Sequence, residues 1–185
     1  MKKIIVDNDI YLELAGLELS QEIFDLVNSN RAELGRWLNW VPKTQTVVDT
    51  EDFLKKNQDR FKKDESGTFA ICFQGKLAGL VDLHGIDEKN NKSSIGYWLD
   101  KNFYGKGIMT KSVAAILNYA FDELGINRIV IEAAVGNVKS KAVAKRLGFK
   151  FEGVARESNK ISENKYFDME IYALLKSDWV GKNIF

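Results

Sequence analysis

The sequence predicts a mixed α/β (α+β) fold, in which helices cover both faces of a central mixed sheet of six to seven strands. Strand-like segments precede a long amphipathic helix that begins after Gly107. In that helix, apolar residues recur three and four positions apart, the spacing of one buried face. Further strands follow it at Arg128–Val135, Lys150–Glu157 and Tyr166–Leu174, the first two separated by a short helix. This succession of strands and helices is typical of a sheet enclosed by helices.

Local patterns predict the elements in the first half of the chain. A helix begins at Ser20, where a capping residue precedes a set of apolar residues. A second short helix extends from Arg31 to Trp40 and stops near Pro42, and Asp49 or Thr50 caps a third. The predicted strands of this half, two of them joined as a hairpin, are Tyr11–Leu14, Thr68–Gln74, Lys76–His84 and Ser94–Leu99.

Composition and charge exclude several classes of protein. At 185 residues the chain is long enough for one domain with a proper core, predicted to span residues 1–185. The net charge of +1 gives no strong field towards nucleic acid or an anionic membrane. Neither a signal segment nor a membrane span is evident, so we expect a soluble cytoplasmic protein. The single cysteine, Cys72, lies in an apolar strand and cannot form an intrachain disulfide.

The turn before the long helix has the features of an anion site. Gly105 and Gly107 allow backbone conformations that other residues avoid. Their N–H groups and the start of the helix suit a diphosphate, which indicates a nucleotide-like cofactor. Residues from Gly105 to Thr110 lack the Gly-x-x-x-x-Gly-Lys-Ser/Thr spacing of a P-loop. They also do not fit the Gly-x-Gly-x-x-Gly motif of a dinucleotide-binding fold, because Thr110 stands three positions after the second glycine. By itself, the turn also fits a plain connection between a strand and a helix.

Further motifs give this turn a context. The strand Arg128–Val135 is followed by an Asn-x-x-Ser motif and then by an Arg-Leu-Gly-Phe run. With these motifs the chain resembles the Gcn5-related N-acetyltransferases (GNAT), and more narrowly the RimJ/RimL type of ribosomal-protein N-acetyltransferase. The landmarks cover most of the chain in the correct order: Trp37-Leu38-Asn39-Trp40, Ile95-Gly96-Tyr97-Trp98-Leu99, Tyr104-Gly105-Lys106-Gly107-Ile108, Asn137 with Ser140, and Arg146-Leu147-Gly148-Phe149 with Glu152-Gly153.

The resemblance implies the GNAT fold and an enzyme that uses acetyl-CoA as donor, releases coenzyme A and needs no metal. Main-chain N–H groups of the glycine-containing turn would hold the pyrophosphate, and the pantetheine arm would pair with the strand ending at Leu99. A main-chain N–H of Trp98 or Leu99 would polarise the acetyl carbonyl. The implied cofactor-binding residues are Tyr97, Trp98, Leu99, Asn102, Phe103, Tyr104, Gly105, Lys106, Gly107, Ile108, Asn137 and Ser140.

The sequence matches the family's general acid and general base less well than its cofactor-binding motifs. Many superfamily members have a tyrosine acid where this chain has Ala144. Ser140 is therefore the candidate general acid, and a hydrogen bond to its own helix backbone is its alternative role. Asn137 either contacts the pantetheine or caps the helix. Glu157 is a weak candidate for the general base, because Asn159 stands where the family has been assigned a glutamate.

Four residues are candidates for binding the acceptor. Trp37 and Trp40, predicted to share a helix face, form either a wall of the acceptor pocket or part of the core. Asp82 and His84 share a strand face and either meet the substrate or are simply solvated. A site without a strong base favours an α-amine, whose pKa is about 7.8, over a lysine side chain at about 10.4. We expect direct attack, in a ternary complex, by the N-terminal α-amine of a protein, with ribosomal proteins the first choice.

Two other functions remain open. The enzyme could acetylate a small amine, such as a polyamine, an amino acid or an aminoglycoside. Alternatively, the protein is a non-catalytic module that binds acetyl-CoA as a signal. Thiol release from acetyl-CoA with a panel of acceptors would distinguish these functions. A homodimer or higher homo-oligomer is expected by analogy alone.

Overall fold

The computed structural model describes residues 3–179, so residues 1–2 and 180–185 of the predicted domain lie outside it. Its strands are β1 (Lys3–Ile5), β2 (Ile10–Leu14), β3 (Gly67–Phe73), β4 (Lys76–Asp87), β5 (Lys92–Leu99), β6 (Arg128–Ala134), β7 (Lys150–Ser162) and β8 (Lys165–Leu175). They form one sheet in the order β1-β2-β3-β4-β5-β6-β8-β7. Only the pair β5 and β6 is parallel among the described neighbours.

Helices pack on both faces of this sheet. They are α1 (Ser20–Ser29), α2 (Arg31–Leu34), α3 (Val47–Lys62), α4 (Ile108–Asn118), α5 (Val138–Arg146) and α6 (Lys176–Trp179). One core cluster contains apolar residues of α4 and α5, and a second contains Ile23 and Val27 of α1 with Leu54 of α3. Within residues 3–179 no helix combines the length and the apolar character needed to cross a bilayer.

The architecture confirms the predicted fold class and differs from the prediction in three details. The sheet has eight strands, because β1 adds to the edge of β2, where no strand was predicted. The helix predicted from Arg31 to Trp40 ends at Leu34, with Gly35 as its C-cap. The cap of α3 is Thr46, which forms a capping box with Asp49 at the third helical position.

β5 and β6 separate soon after they meet. Their pairing covers three residue pairs, from Lys92 with Arg128 to Ser94 with Val130. β5 continues to Leu99 and stays paired with β4 on its other side. Its edge towards β6 therefore faces a gap, where unpaired backbone groups can receive an added strand.

Candidate active site

A cavity of about 600 Å³ lies where β5 and β6 part. Its wall is formed by the end of β5, the glycine-containing turn, the start of α4 and one face of α5. The end of α2 and the residues after it, as far as Leu38, complete the wall. Ten of the twelve cofactor-binding residues implied by the sequence line it: Tyr97, Trp98, Leu99, Phe103, Tyr104, Gly105, Gly107, Ile108, Asn137 and Ser140.

The two glycines of the turn have the conformation and the space that a phosphate cradle needs. Gly105 and Gly107 have φ angles of 77° and 75°, in the left-handed region that favours glycine. A Cβ atom at either position would meet nothing within 4 Å, so the turn is open to an approaching group. The first helical bond runs from the Lys111 amide to the Gly107 carbonyl, which leaves the preceding amides of α4 outside the helix ladder. The turn therefore fits a diphosphate.

The side chains of Asn102 and Lys106 do not reach the cavity wall. Asn102 bonds to the carboxylate of Asp100 through both its main-chain and side-chain nitrogens. The Lys106 ammonium lies 5.5 Å and 5.4 Å from the ring centres of Phe73 and Phe103. Binding by this turn therefore relies on its backbone.

The register of β5 distinguishes Leu99 from Trp98 as the donor to the acetyl carbonyl. The Asp100 amide donates to the Ala78 carbonyl beside β4 at 2.8 Å. Alternate residues of an antiparallel strand direct their N–H groups to opposite sides. The Trp98 amide is thereby directed towards β4 and the Leu99 amide towards the gap, which makes Leu99 the better placed of the two.

Ser140 and Tyr97 form a hydroxyl pair inside the cavity. The Ser140 Oγ donates to the Tyr97 Oη at 3.1 Å, and that phenol donates to the Ser140 carbonyl at 2.9 Å. Burial raises the pKa of Tyr97 to about 12, so the phenol stays protonated at neutral pH. The Asn137 side chain accepts from the Ser140 amide at 3.2 Å and so caps α5. This cap fixes the position of Ser140 at the cavity.

Three cationic residues of the wall, Lys111, Lys139 and Arg146, were not among the cofactor-binding residues expected from the sequence. The Arg146 guanidinium donates to the Thr110 hydroxyl at 2.9 Å and so links α5 to α4. The Lys139 ammonium lies 3.1 Å from the Glu33 carboxylate. The positive charge of Arg146 suits the phosphates of a nucleotide, whereas the charge of Lys139 is paired with Glu33. The seven-residue spacing of Lys139 and Arg146, two turns of one helix face, was the signal that the sequence offered.

Of the two tryptophans proposed for the acceptor, one lines the cavity. Trp37 is part of the wall, and a Cβ atom at Gly136 would lie 3.3 Å from its ring. The ring centres of Trp37 and Phe167 are 5.8 Å apart. Trp40 instead packs on Trp98, with 6.4 Å between ring centres. The prediction that Trp37 and Trp40 share a helix face was wrong, because α2 ends before both.

The remaining candidates lie outside the wall of the cavity. Asp82 and His84 share one face of β4, and His84 Nδ1 is 2.8 Å from Asp82 Oδ2. This hydrogen bond raises the pKa of His84 above its ordinary value, against the opposing effect of burial. Glu157 is exposed at an irregularity of β7, where its amide donates to the Asp168 carboxylate at 2.7 Å. Among residues 3–179 no group of acidic, histidine or cysteine side chains could hold a metal ion.

Comparison with known proteins agrees with this geometry. The acetyltransferase (GNAT) domain family matches residues 12–150, and the chain belongs to that family. The Bacillus subtilis (strain 168) protein YdaF, provisionally named a ribosomal N-acetyltransferase, is 35% identical over 178 residues, which cover 96% of this chain and 97% of YdaF. The ribosomal-protein-serine acetyltransferase of Escherichia coli (strain K12) is 28% identical over 151 residues, 82% of this chain and 84% of that protein.

Solved structures point to the same cofactor. RimL, the ribosomal L7/L12 alpha-N-protein acetyltransferase, in complex with coenzyme A superposes with a TM-score of 0.92 at 28% identity, covering 96% of this chain and 99% of RimL. The microcin C7 self-immunity acetyltransferase in complex with acetyl-CoA and AMP superposes with a TM-score of 0.87 at 30% identity. The superposition covers 92% of this chain and 94% of that protein. The chain is therefore an acetyl-CoA-dependent N-acetyltransferase of the GNAT family, with RimL-type relatives. These findings confirm the predicted family, fold and cofactor.

Proposed function

We propose that this enzyme acetylates the N-terminal α-amine of a protein, with a ribosomal protein as the first candidate. The likeness to RimL supports this acceptor, because it extends over 96% of the chain and RimL is named for an α-amine of a ribosomal protein. The name of the E. coli relative, which refers to ribosomal-protein serine, agrees with that class of acceptor.

The charges of the cavity wall favour a protein N-terminus over a polyamine as the acceptor. Glu33 is the only carboxylate among the described residues that line the cavity, and Lys139 neutralises it at 3.1 Å. A polyamine brings two or more positive charges that need carboxylate partners. A protein N-terminus brings a single amine, with a pKa of about 7.8, of which roughly a quarter is uncharged at pH 7.4. As far as the structure describes it, the cavity wall leaves no unpaired carboxylate for a second positive charge, and Asp82, outside that wall, is bonded to His84, which favours the N-terminus.

The acceptor approaches from the side of Trp37. Asn39, two residues later, donates to the Lys160 carbonyl at 3.0 Å and so joins this segment to the β7–β8 hairpin. The segment and the hairpin thus bound the acceptor side of the gap. We place the extended N-terminus of the acceptor beside this segment, with its amine first.

The residues of the chain have separate tasks in this reaction. Acetyl-CoA supplies the acetyl group as a thioester. The Leu99 amide polarises the acetyl carbonyl, and the Ser140–Tyr97 pair donates a proton to the leaving sulfur. Attack is direct, because the described part of the cavity wall contains no cysteine. Cys72 is buried in β3, and burial raises the pKa of its thiol to about 11, so it is not a nucleophile.

Matched peptides test the choice of acceptor. Thiol release from acetyl-CoA is measured with peptides that carry a free N-terminus, with the same peptides blocked there but containing lysine, and with spermidine. We expect the free N-termini to react and the blocked peptides to be inert. Higher kcat/KM for spermidine or for blocked lysine peptides than for any free N-terminus would overturn the proposal in favour of a different amine.

A further inference from the structure

The narrow end of the gap holds polar side chains to which the reaction described above gives no task. The pairing of β5 with β6 ends two residues before Gly96 and Glu132. Asp82 of β4 is directly opposite Gly96, and His84 is two residues further along the same strand. Because alternate residues share a face, Asp82, His84 and Glu132 are on one face of the sheet at this narrow end.

Gly96 makes room for the two β4 side chains. A Cβ atom at position 96 would lie 2.4 Å from Asp82 Oδ1 and 3.4 Å from His84 Cε1. Both side chains therefore lean over the backbone of Gly96. Trp98 is two residues further along β5, which corresponds to about 7 Å at ~3.3 Å per residue. A gap of this size has room for one or two bridging water molecules, so we place the reacting amine near Trp98 within water-mediated reach of His84.

The geometry of the pair leaves one nitrogen of the ring available. With its proton on Nδ1, His84 donates to Asp82 at 2.8 Å, and Nε2 keeps its lone pair. The His84 side chain is 50% exposed, so water reaches it. The bond to Asp82 raises the pKa of His84, and the negative charges of Asp82 and Glu132 add to the rise while burial opposes it. These are the charged groups that act on His84 in the described part of the chain.

We propose that His84 is the general base for the acceptor amine, with Asp82 as its positioning residue; this inference rests on the proposed α-amine function. A proton leaves the ammonium nitrogen of the acceptor and passes through water to Nε2, while the Nδ1 proton stays in the bond to Asp82. The imidazolium then releases its proton to solvent, and the uncharged amine is the nucleophile. His84 thereby supplies the base that position 159, an asparagine, does not.

An NMR titration measures the pKa of His84 directly and so tests its role. His84 is the only histidine of the chain, so its ring signal in an NMR titration is unambiguous. The titration is run on wild type and Asp82→Asn, both saturated with coenzyme A. We expect Asp82→Asn to lower the pKa of His84. The pH profile of kcat/KM for a free N-terminal peptide should show the ionisation of the amine and that of His84, and only the second should move, by the same amount as in the titration.

His84→Gln completes the test. Its amide can still bond to Asp82 but cannot take a proton. We expect kcat/KM to fall at least tenfold at pH 7, where most of the amine is charged, and less at pH 9, with acetyl-CoA affinity unchanged. Glu88→Gln removes an exposed carboxylate just after β4 and should change none of these quantities.

Two results would overturn the role of His84. One is activity of a folded His84→Gln variant within twofold of wild type at pH 7. The other is a kinetic ionisation that stays in place while the NMR pKa moves. If wild type acetylates another amine and no free N-terminus, the proposed acceptor fails, and the same titrations with that amine decide the role of His84 separately.

Discussion

The Ser140 hydroxyl donates to the Tyr97 phenol at 3.1 Å, and the phenol donates to the Ser140 carbonyl at 2.9 Å. The helix position where many superfamily members have a tyrosine is Ala144 in this chain, and that residue is fully buried. A tyrosine hydroxyl nevertheless lies in the cavity, because Tyr97 extends into it from β5, opposite α5. Each hydroxyl thus depends on the other for its orientation.

Ser140→Ala is expected to lower kcat at least tenfold and to leave acetyl-CoA affinity nearly unchanged. The serine acts on charge that develops only as the thiolate leaves, so its loss affects the transition state and not binding. Steady-state kinetics and calorimetry measure the two quantities. Asn137→Ala is the control for a structural role, because loss of the α5 cap should cost about 1 kcal/mol of stability. Equal losses of kcat and affinity in Ser140→Ala would remove the serine from the chemistry.

Gly107→Val is expected to weaken acetyl-CoA binding at least tenfold, or about 1.4 kcal/mol. The branched side chain would occupy the open space in which the pyrophosphate should lie. It also introduces strain, because φ at Gly107 is 75°. Gly125→Val is the matched control, since Gly125 has a φ of 67° and equally open surroundings but does not line the cavity.

Both glycine variants should lose similar thermal stability, and only the first should lose affinity in calorimetry. Unchanged binding by a folded Gly107→Val variant would place the phosphate cradle elsewhere.

Local features of this site were predictable from the sequence, and long-range ones were not. The glycine-containing turn and the buried face of α4 depend on neighbouring residues, so periodicity and glycine spacing predict them. The Tyr97–Ser140 contact joins residues 43 positions apart, and it requires the packing of α5 against β5. The helix predicted as far as Trp40 shows a local error. α2 ends after one turn at Leu34, and its C-cap Gly35 keeps a right-handed conformation with φ of −65°, so neither a left-handed glycine nor Pro42 marks this stop.

The two tryptophans should separate binding from stability. Trp37→Ala is expected to raise KM for the acceptor peptide about tenfold, because it removes the aromatic wall beside Gly136 and Phe167. Trp40→Ala should leave that KM within threefold and lower the free energy of unfolding by about 1 kcal/mol, since it removes the ring packed on Trp98. Initial rates and urea unfolding measure the two effects. A raised KM in Trp40→Ala with an unchanged KM in Trp37→Ala would contradict these roles.

The last prediction concerns the ion pair that anchors α5 next to Ser140. The Lys141 ammonium lies 2.7 Å from the Glu170 carboxylate and donates to the Val135 carbonyl at 2.6 Å, so it ties α5 to β8 and to the end of β6. The two side chains are only 15% and 16% exposed. The bond from Lys141, helped by the Tyr172 hydroxyl, holds the pKa of Glu170 below its ordinary value.

Because the folded-state pKa of Glu170 is lowered, its stabilising effect is complete above its ordinary pKa of about 4.3 and is lost as the pH falls through the folded-state value. Lys141→Met should therefore lower the free energy of unfolding by roughly 2 kcal/mol at pH 7, and the deficit should shrink below about pH 4. Lys150→Met, which breaks the pair with Asp178 at a lysine that is 71% exposed, should cost under about 0.5 kcal/mol. Urea unfolding at pH 7, 5 and 3.5 measures both variants. Equal costs, or a Lys141→Met deficit that persists in acid, would contradict an electrostatic anchor at α5.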